Sequence, residues 1–437
     1  MLMKYESASQ HNHLVSKRKF PAIFRSFEVI SFRWLWLSIL FSSMSMGIRM
    51  LAQGWLVLEM TDSAFWVGAI AGIQGLGLVA FGTVGGAIVD RFEKRKIITT
   101  VHAFTGIASI ITALLVITDT IELWHMPFLA FAQGLAMSVQ IPGNNSLAYQ
   151  LVGPDRLLNA MATRLAAMNI SRIIGSLIAG SLIAQLGIGS AYIFAASGSL
   201  IGIIFLWRIP ESGLNTDPRV AFWKEIKHGI EYVWANPTIR RLLLLSLCME
   251  AFGFSHFVMM PVMARDVLEV GATGLGYLSA ASGVGSALST IAVASLGDFH
   301  RKGILLTTAA LAAGISLILF AISPWFILSL FLVALAGGTL MAYDVTMATM
   351  LQLISTDNMR GRVLGVYGLT FGFTPVGGLL AGSIAAIFSA PLAISAGGAI
   401  IALWVTSLSR YTFGLQSPTL GMTENDPDGE HHGITED

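Results

Sequence analysis

Five ionisable side chains stand inside long apolar runs of this sequence: Arg49, Arg172, Glu250, Asp344 and His256. In hydrocarbon such groups are costly, and they face either a partner or a water-filled cavity. A carboxylate beside a cavity that opens and closes changes its affinity for a proton, because hydration favours its charged form and burial its neutral one. Asp344, flanked by Ala342, Tyr343, Val345 and Thr346, lies well inside its run and is the first candidate for proton coupling, with Glu250 second. Plainer readings stand beside these. Arg172 can be an ion or hydrogen-bond partner that holds helices together, Glu250 can sit near enough to a membrane face to stay hydrated, His256 can be a packed or hydrogen-bonded residue, and Asp344 can itself be structural. Arg164, a further cation inside a run, can snorkel to the inner surface.

A second set could orient a solute. Gln140, Asn144 and Asn145 flank Pro142-Gly143 in one run, Tyr343 precedes Asp344 in another, and methionines such as Met46, Met50, Met260 and Met347 recur in three runs. Polar groups of this kind fix orientation while methionine adapts to irregular apolar shapes, which suits a broad, amphipathic organic ligand. The same methionines would equally well fill helix interfaces.

The elements that must position these groups are membrane helices. Of the 437 residues 54% are hydrophobic and 12% charged, and mean hydropathy is +0.72. A soluble chain carries about 25% charged residues, so a soluble globular enzyme is excluded. Apolar segments run over 34–58, 64–89, 97–118, 125–149, 157–184 and 187–207, then 242–264, 272–296, 303–322, 325–352, 361–388 and 391–409. The expected architecture is therefore an all-α polytopic membrane protein of twelve helices in two bundles, residues 34–208 and 242–409. A polar, basic N-terminal tail (1–33), without the apolar core and cleavage site of a secretory signal, precedes them. A linker (209–241) separates the bundles. Its Phe222, Ile226, Ile230 and Val233 recur at helical spacing, edged by Trp223 and Trp234, and predict an amphipathic helix on the inner membrane surface. The tail 410–437 is acidic and reads as disordered.

Of 26 Lys and Arg, 22 fall in the N-terminal tail, the even-numbered loops or the edge before the C-terminal tail; Arg265 alone lies in an odd-numbered loop. By the positive-inside rule both termini of this multi-pass membrane protein are cytoplasmic. The basic residues are not pooled on one soluble face, so nucleic acid is not an expected partner. No Gly-Lys pair exists to build a phosphate-cradling loop, no His-Glu-x-x-His occurs, and Cys248 is the single cysteine. No enzyme activity, metal or other cofactor is expected, and an ion gradient is the remaining energy source.

Sliding the chain by 208 residues lays Gly68 on Gly276, Gly75 on Gly283, Gly77 on Gly285 and Asp90 on Asp298; a slide of 202 lays Asp155 on Asp357, Gly175 on Gly377, Ala179 on Ala381 and Gly180 on Gly382. Two parallel six-helix repeats are the layout of a secondary transporter. Small residues four apart, as in Arg172-Ile-Ile-Gly175-Ser176-Leu-Ile-Ala179-Gly180, let helices of the two halves approach closely, whether to slide or simply to pack.

The segment Gly86-Ala-Ile-Val-Asp90-Arg91-Phe-Glu93-Lys94-Arg95-Lys96 resembles the loop signature of the major facilitator superfamily, with Glu93 where a second glycine is usual. Pro154-Asp155-Arg-Leu-Leu-Asn159-Ala160, then Asn169, Arg172, Gly175 and Ala179-Gly180, together with the segment Phe222 to Tyr232, is similar to its transmembrane secretion effector branch of enterobactin-exporter-like and macrolide-efflux carriers. Ser176 stands where antiporters of the superfamily usually have proline. The resemblance implies the major facilitator fold and alternating access by rocking of the halves. It also implies a gate in which Asp90, with Gly86, Arg91 and Arg95, latches near Arg360 and Arg362, while Asp298, with Arg301, latches near the start of the fifth span; Asp155 and Asp357 are the paired acidic residues at those starts. In the superfamily spans one, four, seven and ten line the cavity, which would make Arg49, Glu250 and Asp344 wet in at least one state. The implied activity is export of a small amphipathic molecule, such as a siderophore, macrolide or drug-like solute, against proton entry, by a monomer. Uptake of a metabolite and a non-transporting scaffold or sensor are the alternatives.

Overall fold

In hydrocarbon every backbone N–H and C=O must be satisfied within its own segment, so the apolar runs have one stable form, the α-helix. A computed structural model of the chain describes residues 22–210, 222–296 and 301–412. The N-terminal tail as far as residue 21, the linker stretch 211–221, Asp298 and the acidic tail beyond residue 412 lie outside the described residues. The first half consists of α1 (Ile30–Thr61), α2 (Ala64–Arg91), α3 (Lys94–Ile117), α4 (His125–Val152), α5 (Pro154–Leu186) and α6 (Ile188–Trp207). α7 (Phe222–Ala235) leads to the second half: α8 (Pro237–Cys248), α9 (His256–Val262), α10 (Gly271–Ser295), α11 (Lys302–Ile322), α12 (Phe326–Ile354), α13 (Asp357–Thr370), α14 (Phe373–Ile387) and α15 (Ala390–Thr412).

Two of the expected spans are broken. The seventh starts at Pro237, where the Asn236 side chain accepts from the backbone N–H of Thr238 and Ile239, and runs to Val267 through two π-helical turns, Met249–Gly253 and Met263–Val267, either side of α9. The eleventh divides into α13 and α14 at Phe371-Gly372. Pro375 explains the break: it has no N–H to give, and its ring excludes the carbonyl four residues earlier.

Eleven segments among the described residues are long and apolar enough to cross a membrane. The fourth expected span, α4, is not among the eleven, because its Gln133, Gln140, Asn144 and Asn145 lower its hydropathy. α4 nonetheless has 28 residues and lies against α2, where Gly77 faces the Phe131 carbonyl and Gly134 the Gln74 carbonyl. The amphipathic α7 forms as expected but packs on α13. A Cβ at Gly229 would stand 3.3 Å from the Arg362 carbonyl oxygen and 3.2 Å from Val366, so glycine permits the contact.

The repeat read in the sequence reappears as a twofold relation between the halves. Gly68 on α2 faces the Gly378 carbonyl on α14, and its mate Gly276 on α10 faces the Ser176 carbonyl on α5, 2.7 Å from where a Cβ would be. Gly382 faces the Ala64 carbonyl at 2.7 Å, and its mate Gly180 faces the Ala272 carbonyl at 2.6 Å. Each pair is related by the same 208- and 202-residue shifts. At such separations a side chain would meet backbone that cannot rotate away, so these crossings require glycine. They involve the first turns of α2 and α10 and the later turns of α5 and α14. That is the part of the bundle remote from the end carrying Arg91, Lys94, Arg156, Arg208, Arg240 and Lys302, here called the basic end. The halves are thus joined through these crossings at the end remote from the basic one.

Candidate functional site

A cavity of about 380 Å³ lies between the halves, walled by α1, α2 and α5 on one side and by the seventh span, α10 and α14 on the other. Most of its wall is apolar or small: Met46, Met50, Met168, Met260, Phe254 and Phe257 give it bulk, and Gly47 and Gly54 give it room. Gln53 and Gln74 supply amides; Gln53 accepts from Gln133 at 3.0 Å. One charged side chain lines it, Arg172 on α5. Its guanidinium stacks over the Phe257 ring at 5.3 Å from the centroid, a cation–π contact that holds the group at the wall. Its stem passes Gly283 of α10, where a Cβ would stand 3.5 Å from Arg172 Cδ.

The carboxylates stand behind the opposite wall. Thr374, a lining residue on α14, donates its hydroxyl to Glu250 Oε2. Glu250 sits in the π turn Met249–Gly253 and is 4% exposed. A π turn inserts one extra residue and re-aims the side chains after it, and such turns cluster at functional sites. Asp344 on α12 accepts from the Tyr367 hydroxyl of α13. Glu250 and Asp344 are close enough for their charges to interact, and Tyr343, 1% exposed, feels both. The two coupling candidates therefore share one polar cluster in the second half, reached from the cavity through Thr374.

Other expected cavity residues are placed elsewhere. Arg49 does not line the cavity in this conformation; it is 5% exposed between α1 and α6 and donates to Ser45 Oγ at 2.6 Å and Ser199 Oγ at 3.5 Å. Gln140 turns instead to His102 Nε2 at 3.3 Å, and Asn144, Asn145 and Tyr343 are likewise absent from the lining, Asn144 and Tyr343 being buried. His256 has its Nδ1 on the Gly253 carbonyl at 2.6 Å and its ring 4.1 Å from that of Phe257, so it is a packed residue beside the wall. Of the methionines, Met46, Met50 and Met260 face the cavity, while Met259, Met263 and Met347 are fully buried in the helix interior.

The expected gate residues stand at the ends of several helices at the basic end. Asp90 and Arg91 are exposed at the close of α2, Asp155 is exposed in the first turn of α5, and Arg301 is exposed before α11. Gly86 has open space where a Cβ would project, so nothing here demands a glycine at that position. Arg95 bonds the Ile209 carbonyl at 2.5 Å and Glu93 holds Lys96 at 2.9 Å, ties within the first half. Arg360 bonds the Gln352 carbonyl at 2.8 Å and Arg362 meets the Met359 sulfur at 3.3 Å, ties within the second. α13 begins at Asp357, whose side chain is outside the described set.

A bridge between the halves forms at the opposite end. Arg265, in the second π turn of the seventh span, pairs with Asp62 Oδ1 at 2.8 Å and bonds the Leu58 carbonyl at 2.9 Å. Asp62 is set by a left-handed turn, φ 48°, that closes α1. Sequence reasoning noticed Arg265 as the one cation on that side but assigned it no partner. Thr374, Tyr367, Gln53 and Phe257 carried no sequence signal beyond residence in an apolar run.

The model of the transmembrane secretion effector family matches residues 22–425. The chain belongs to that family. It is 26% identical to the enterobactin exporter EntS of Shigella flexneri over 369 residues, 84% of this chain and 88% of the relative, and equally to EntS of Escherichia coli (strain UTI89 / UPEC). In fold it is similar to the nucleoside transporter NupG, with a TM-score of 0.68, 13% identity and coverage of 88% of this chain and 97% of that one. It is similar also to a bacterial homolog of the human lysosomal transporter Spinster in an inward-facing, unoccupied conformation, with a TM-score of 0.68, 14% identity and coverage of 88% and 93%. The major facilitator fold implied by the loop signature is the fold of this chain.

Proposed function

We propose that this member of the transmembrane secretion effector family is a secondary active carrier that exports a small amphipathic organic molecule across a bacterial inner membrane, with proton entry as the driving force. The observation that carries the reading is the cavity between two pseudo-symmetric halves joined by matched glycine crossings. Rocking about those crossings exposes the cavity to one side and then the other. The direction, export, follows the name of the relatives. With the basic end cytoplasmic, the glycine crossings and the bridge of Arg265 with Asp62 hold the halves together at the outer end. Asp344 and Glu250 bind the proton, and Thr374 communicates between the cavity wall and Glu250. Asp90 gates toward α13 at the basic end. The chain acts as a monomer in the bilayer, and its role is carriage rather than catalysis.

The test is flux into reconstituted vesicles with siderophores, macrolides and small metabolites, with an imposed pH gradient switched on and off. Gradient-accelerated movement of at least one amphipathic solute, lost in Asp344→Asn together with Glu250→Gln, is the expected result. Gradient-independent silence for every solute class would leave a scaffold or sensor on this fold.

A further inference from the structure

The cavity's charge is one-sided. Arg172 is its single charged lining residue, and among the described residues its guanidinium meets no carboxylate and has the Phe257 ring as its neighbour. The repeat makes the omission specific. The 202-residue shift lays Arg172 on Thr374, so the second half presents a neutral hydroxyl where the first presents a cation, and that hydroxyl is already committed to Glu250. The nearby carboxylates stand behind the wall and not in the lining, Glu250 hydrogen-bonded by Thr374 and Asp344 by Tyr367. A guanidinium at an apolar wall gains most from a ligand that brings the missing negative charge together with apolar bulk for the methionines and phenylalanines.

We infer that the cavity is an anion-selective site, whose ligand is an amphipath with an aromatic or otherwise bulky apolar body and one carboxylate-like or phenolate-like anionic group paired with Arg172. The inference rests on the carrier reading and names its substrate class. The anion sits on the α5 side, against the Arg172 fork, and the apolar body spans toward Phe254, Met260 and Met50. A cationic amphipath meets repulsion from Arg172 with no exposed carboxylate to offset it.

Equilibrium binding to the purified full-length chain separates this from a general hydrophobic pocket. The probes share one fluorescent body: pyrenebutyrate, pyrenebutyramide and pyrenebutylammonium, read by anisotropy. Pyrenebutyrate should bind about tenfold or more tighter than the amide, and the ammonium weakest of the three. Arg172→Met should erase the anion's advantage while the amide's affinity holds, which also shows the cavity still folded. If Arg172→Met loses the amide as well, Arg172→Lys decides: a retained anion preference supports the site, and its loss with the amide still bound overturns it. Equal binding of all three probes, preference for the cation, or an anion preference that survives Arg172→Met would overturn the inference. Vesicle flux is read separately. An anion bound with charge preference but never carried overturns the carrier reading and leaves the site standing, whereas flux indifferent to charge does the reverse.

Discussion

The two halves of the molecule repeat each other in backbone and diverge in charge. Gly68 and Gly276, and Gly180 and Gly382, make matched crossings, yet the position that is Arg172 in the first half is Thr374 in the second, with Glu250 and Asp344 behind it. Where the halves must move against each other the repeat is kept, since a rocking hinge needs the same close approach on both sides of the axis. Where they face a solute the repeat is abandoned. A symmetric wall would place like charges opposite each other, whereas an asymmetric one separates a cavity-facing cation from the carboxylates buried behind the other wall.

The comparison predicts its own breaking points. The largest effect is expected at the crossings: Gly276→Leu and Gly68→Leu each drive a side chain into a facing carbonyl, and both should abolish flux and lower the melting temperature by a similar amount. Gly86→Leu, which has open space, should leave the melting temperature unchanged. Unequal damage from the matched pair would break the twofold hinge. Next in size is Asp344→Asn, which should cut gradient-driven flux by about tenfold or more and flatten its dependence on pH, since the amide cannot take up a proton. Thr374→Val should give a smaller loss of the same kind. If solute exchange without a gradient falls equally in both, the cluster is structural rather than coupling.

A smaller effect is expected at the Asp62–Arg265 bridge. Asp62 is 84% exposed, and an exposed pair is worth about 1 kcal/mol or less, so Arg265→Gln should shift the open and closed populations by about fivefold at most. Maleimide labelling of Val57→Cys, in a Cys248→Ser background, should rise from the outer side in that variant, and added salt should raise it in the parent but not in the variant, where the pair is gone. The smallest effect on flux belongs to Glu93→Gln: its partners Lys96 and Arg95 lie within the same half, so flux should hardly change.

Much of the fold was legible in the residues. The basic residues gathered at one end, the linker helix with Gly229 and the glycine repeat all carried forward into the structure, and Pro375 in the eleventh run marks where that span breaks. The site was legible only in part. Glu250 and Asp344 stood out because an acid in an apolar run is conspicuous, and they do share a cluster. Gln140, Asn144 and Asn145 looked equally conspicuous and turned away from the cavity, while Gln53 and Gln74 took the places expected of them. Arg49 and Arg172 read alike as buried cations, but one is locked between α1 and α6 by serines and the other faces the chamber.

The sequence by itself determined how many times the chain turns, which end is basic, and that one module occurs twice, because length, hydropathy and residue spacing are one-dimensional properties. The tertiary structure alone decided which polar side chains face the cavity and that Arg265 reaches Asp62. The reason lies in the solvent. Lipid is as apolar as a helix interface, so a helix that is apolar on every side carries no signal for its own rotation, and only the packing of its neighbours sets it.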